Sequence, residues 1–130
     1  LNLTPQSNTI QLTITGDGSE AVGTDTITAV SNIKSWKITV TSLNNSYLVQ
    51  DTLQIPYKIK IDCIDAATNS FSSFASVPTG GGSLTFTKKT KKGGSVLAVT
   101  VKVENQNTTD ELYEAGTNYK DTLVFTISVN

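Results

Sequence analysis

Few side chains in this 130-residue sequence could do chemistry, and their spacing limits what that chemistry could be. Two acidic runs stand out: Asp17-Gly18-Ser19-Glu20 with Asp25, and Asp110, Glu111 and Glu114. Either could offer hard oxygen ligands to a cation. Neither has the spacing of a calcium loop, so both read as solvated acidic turns. Glycoside hydrolysis needs only two carboxylates across a cleft, but these acids fall in loops and turns. The sequence has no histidine and one cysteine, Cys63. Ser-His-Asp and Cys-His arrangements therefore cannot be built from it, and zinc ligands are wanting. Cys63 cannot form an internal disulfide, and within a strand pattern it reads as a small buried hydrophobe. We expect neither an enzyme nor a cofactor or metal site.

The sharpest local charge is Lys88-Lys89-Thr90-Lys91-Lys92, followed by Gly93-Gly94. Between two strand patterns it reads as the tip of a hairpin, where water screens the mutual repulsion and the charge discourages stacking of sheet edges. Lys88, Lys89, Lys91 and Lys92 are thus candidate surface contacts for an anionic partner such as a cell-surface glycan. Nucleic acid is not an expected partner. The chain has no arginine for phosphate or guanine and no basic and aromatic stripe to stack bases. Sugar binding would want exposed aromatic platforms. Trp36, Tyr57, Phe86, Tyr119 and Phe125 fall on inward strand phases, which leaves Tyr47, Phe71, Phe74 and Tyr113 in loops as candidate contacts.

Length and composition bound the class. At 130 residues the chain is one domain, 1–130, large enough for a continuous core. Threonine and serine together number thirty-four, and both suit the outer face of a sheet. A net charge of −1 gives no long-range pull on nucleic acid or anionic membrane, and no apolar run reaches the roughly 18–20 residues that span a bilayer. The absence of methionine leads us to expect that a leader or upstream region has been removed, and the Thr/Ser/Asn-rich surface suggests a secreted or cell-surface protein. Acceptor triplets for N-linked sugars occur at Asn2-Leu3-Thr4, Asn44-Asn45-Ser46 and Asn107-Thr108-Thr109.

The elements that must hold these groups are strands. Residues 119–130 alternate, with Tyr119, Leu123, Phe125, Ile127 and Val129 on one side, and such a face cannot stay in water. Residues 9–15 put Ile10, Leu12 and Ile14 on one face, and residues 16–19 then read as a turn. A short strand is expected over 25–31, a strong one over 34–42, a brief one over 47–49, and the longest over 53–63. Pro56 should place that longest strand at an edge or make it bulge. Residues 65–82 keep no period, although Phe71 and Phe74 could sit on one helical turn across an open end. Strands over 83–87 and 96–104 flank the lysine tip, and 105–118 is a polar connection. Residues 1–6, halted by Pro5, read as a loose or strand-donating segment. About seven short strands with polar joints indicate an all-β, two-sheet β-sandwich.

The last stretch, Ala115-Gly116-Thr117-Asn118-Tyr119-Lys120-Asp121 followed by the alternating Thr122–Val129, resembles the closing segment of secreted bacterial pilin-like domains of the spore coat protein U and chaperone–usher type. Residues 31–40 and 55–59 look like the mid-domain strands of such modules. The resemblance implies an immunoglobulin-like two-sheet β-sandwich acting as a surface or filament subunit, structural or adhesive, whose partners are other subunits of the same assembly. It also implies an open groove beside the C-terminal strand, filled by a strand from the next subunit. A carbohydrate-binding β-sandwich is the alternative.

Overall fold

The computed structural model describes residues 1–107 and 109–130; Thr108, in the third acceptor triplet, lies outside them. In chain order the strands are β1 (Asn2–Pro5), β2 (Glu20–Val30), β3 (Trp36–Ser42), β4 (Tyr47–Gln50), β5 (Leu53–Asp62), β6 (Thr68–Asn69), β7 (Gly82–Phe86), β8 (Ser95–Glu104) and β9 (Leu123–Val129). Two antiparallel sheets result, one ordered β1-β2-β8-β5-β4 and the other β6-β7-β3-β9. Their inner faces meet in the two-sheet β-sandwich that the alternation calls for. Nine strands are found rather than about seven, because β1 and the two-residue β6 are too short to show a period in sequence.

The core lies where the inward residues of β8 (Leu97, Val99, Val101, Val103) and β5 (Ile55, Tyr57, Ile59, Ile61) face Trp36, Ile38 and Val40 of β3 and Leu84 and Phe86 of β7. Burying each large apolar side chain contributes about 1.5–3 kcal/mol, so the long alternating strands also carry most of the stability. Trp36 anchors one end. Its ring stacks on Phe86 with centroids 3.8 Å apart, and its indole N–H donates to the Lys88 carbonyl at 2.8 Å.

Several expectations are corrected. Residues 9–15 do not form a strand, although Ile10, Leu12 and Ile14 do share a face against the core; among the described residues they pair only through one bridge, from Ile14 to Gly116. They cross β2 at Gly23, where a Cβ would stand 2.4 Å from Ile10 Cγ2, and this explains why β2 can run unbroken from Glu20 instead of starting at Asp25. β5 is not an edge strand, since it pairs with β8 from Tyr57 onward and with β4; Pro56 sits just beyond the β8 ladder, where its missing N–H breaks nothing. The lysine stretch is not a hairpin tip. β7 and β8 lie in different sheets, and residues 88–94 cross between them, with the Thr90 N–H bonded to the Ser31 carbonyl at 3.0 Å. No helical turn is found over 65–82 among the described residues. Residues 2–5, read as loose or strand-donating, are laid along β2 as β1.

Phe71, a candidate surface contact, is a core residue with no exposed surface. The space it fills is made by Gly82, where a Cβ would lie 2.4 Å from its ring. A hole made by a missing side chain eleven residues away leaves no periodic trace.

Candidate functional site

The last strand holds the site. β9 pairs with β3 in the register Trp36↔Val129 to Ser42↔Leu123, and among the described residues no strand lies on its other side. Its inward residues Leu123, Phe125 and Ile127 stay only half-buried, in contrast to the buried faces of β3 and β8. The exposure has a geometric cause. A side chain in a sandwich is covered by the facing sheet and by its lateral neighbours, and β9 lacks the neighbours on one side.

Beside that bare edge runs a groove of about 1110 Å³. Ile27, Tyr57, Val99 and Val101 of the larger sheet line its floor, Leu123 and Phe125 one wall, and Ile10, Leu12 and Ile14 the other. Two isolated bridges, Ile14 to Gly116 and Val49 to Lys120, draw it together at the end near the β4–β5 turn. An extended chain alongside all seven residues of β9 would span about 23 Å at roughly 3.3 Å per residue. The unpaired N–H and C=O groups along that edge are a ladder awaiting its second rail.

A polar latch fixes the entry to β9. Asp121 accepts four hydrogen bonds: from the Ser42 hydroxyl and the Tyr57 phenol on one oxygen, and from the backbone N–H groups of Asn44 (2.9 Å) and Thr122 (2.7 Å) on the other. It thereby ties the start of β9 to β3, to the turn after it and to β5. Burial, reinforced by the hydrogen bond to Asp121, pushes the Tyr57 phenol well above its usual range, so it stays a donor. With both its oxygens engaged, Asp121 serves structure. Three carboxylates line the groove, Asp25, Asp51 and Asp121, and Asp25 is also engaged, accepting from the Ser7 N–H at 3.3 Å.

The sequence candidates scatter. Tyr47 is exposed opposite Pro56 on β5, and the phenol of half-buried Tyr113 is raised by burial and then by Tyr47 nearby; a small hollow of about 200 Å³ opens between Pro56, Lys58, Lys102 and Tyr113. Phe74 is half-buried with the Lys102 ammonium 4.5 Å above its ring. Lys88, Lys89, Lys91 and Lys92 are exposed, far along the strands from the tyrosines. Of the acidic runs, Asp17 accepts from the Ser19 hydroxyl, the Thr15 hydroxyl (2.6 Å) and the Ser19 N–H (2.9 Å), which hold its carboxyl down at about 2. No group of three or more metal-binding side chains occurs among the described residues. Burial raises the Cys63 thiol, as fits an inert, half-buried side chain. No helix of the described residues is long and apolar enough to cross a membrane. Sequence reasoning assigned Leu123 and Phe125 to the core and missed them as groove walls, because alternation marks an inward face and carries no signal of how far that face is covered.

No protein-family model matches the chain, and no curated protein matches it either.

Proposed function

We propose that the chain is a non-catalytic structural or adhesive subunit of a surface or filament assembly outside the cell, and that the groove beside β9 takes an extended segment of a neighbouring subunit as an added strand. The bare edge of β9 above an apolar floor carries this reading. A strand laid there would satisfy the free backbone groups and cover Leu123, Phe125 and Ile127 at once, while main-chain bonds supply affinity and alternate side chains fill the groove. The likeness of the closing segment to pilin-like domains of the spore coat protein U and chaperone–usher type points the same way. The carbohydrate-binding alternative keeps Tyr47 and Tyr113 but loses Phe71 to the core.

A synthetic peptide covering residues 1–15, which carries the alternation of Ile10, Leu12 and Ile14, tests strand uptake. Size exclusion should show the peptide co-eluting with the protein, and thermal unfolding should move upward. At a hundred times the dissociation constant the gain is about 2.7 kcal/mol. A monomer indifferent to the peptide in both measurements would count against uptake.

A further inference from the structure

The net charge of −1 conceals a segregation along the strands. The register sets β2's last residue, β8's first and β9's last at one end of the sandwich. Both chain termini lie there, since Asn2 pairs with Val30 and the Asn130 N–H bonds to the Ser35 carbonyl. Five of the ten lysines, Lys34, Lys88, Lys89, Lys91 and Lys92, are exposed at this end, against the acids Asp62 and Asp65. The opposite end gathers the turn at 16–19, the β4–β5 turn and the 105–118 connection, joined by bonds such as Asn105 N–H to the Ser19 carbonyl and Asn118 N–H to the Gln50 side chain. Here Asp17, Glu20, Asp51, Glu104, Asp110, Glu111 and Glu114 are exposed, and three lysines stand among them, Lys120 and the pair Lys58 and Lys102 that lines a hollow with Glu104, so the acids remain in excess.

We propose that the partner is a second copy of this chain, met head to tail, with the basic end of one copy docked on the acidic end of the next. The inference rests on the subunit reading and names the neighbour that reading leaves open. Charge complementarity between opposite ends makes the contact heterologous, so each docking leaves one free end of either sign and the chain of copies extends. The same contact excludes the reverse arrangement, because like ends repel. It also sets the N-terminal end of one copy against the groove end of the next, where Gln50, Asp51 and Thr117 line the groove.

The test is sedimentation velocity on the full chain at about 10 mM and about 1 M salt, where the screening length falls from roughly 30 Å to 3 Å. Three proteins are compared: the unaltered chain, a basic-end variant (K88E/K89E/K91E/K92E), and an acidic-end variant (E104K/E111K/E114K). The unaltered chain should associate at low salt and do so about tenfold or more weakly at high salt. Each variant alone should remain monomeric, and an equal mixture of the two should associate again, which also shows that both are folded. Salt-independent association, no association at low salt, variants that associate as the unaltered chain does, or a silent mixture would each overturn the proposal. So would retention of an acidic polysaccharide by the lysine end of a chain that never self-associates. Salt-dependent association in a protein that ignores the residue 1–15 peptide would remove strand uptake and leave head-to-tail docking standing.

Discussion

Replacing Trp36 with alanine is expected to lower the unfolding free energy by about 3–5 kcal/mol, the range for deleting a large aromatic side chain from a packed interior. Three contributions act together. The ring is fully buried, it loses its stacking on Phe86 at 3.8 Å, and the Lys88 carbonyl loses the indole N–H. The last loss reaches beyond the core, because Lys88 opens the crossing that carries the chain from one sheet to the other. Urea denaturation measures the change. Trp36→Phe should cost less, since it keeps an apolar ring against Phe86 and gives up only part of the volume and the hydrogen bond. Equal losses in the two variants would show that the hydrogen bond, and not the filled volume, dominates.

Replacing Asp121 with alanine is expected to cost about 2–4 kcal/mol, because bonds to a charged acceptor are stronger than neutral ones and unpaired donors in a half-buried site are costly. The side chain gathers Ser42, Tyr57 and the N–H groups of Asn44 and Thr122. Its removal should loosen the start of β9 before the rest of the sandwich. Tyr57→Phe removes one of the four donors and keeps the ring, so about 1–2 kcal/mol is expected there. Urea denaturation of both variants checks the order. A loss under about 0.5 kcal/mol for Asp121→Ala would mean that water replaces the latch at little cost.

The sequence revealed faces well and partners poorly. β3, β5 and β8 could be read nearly residue by residue, because seven to ten alternating positions with large apolar side chains admit one buried face. Residues 9–15 alternate as cleanly, yet they make no ladder, because alternation fixes which side is buried and says nothing about whether an edge comes within reach. The expected strand over 25–31 stopped short of Gly23, which is the place where β2 admits Ile10 and Leu12. The lysine stretch had the composition of a hairpin tip, and only the placement of β7 and β8 in separate sheets shows it to be a crossing. The groove was the hardest feature to see from residues alone. Leu123 and Phe125 carry the signature of core residues, and what distinguishes them is that no strand of the described residues lies beside them on the outer side of β9.

Amide hydrogen exchange along Leu123–Val129 tests the groove most directly. In dilute solution, the amides of β9 that point away from β3 should exchange far faster than those of β8, which is paired on both sides, and they should become protected when copies assemble or when the residue 1–15 peptide is added. Protection of those amides in the dilute monomer equal to that of β8, or exchange unchanged by assembly and by peptide, would contradict it.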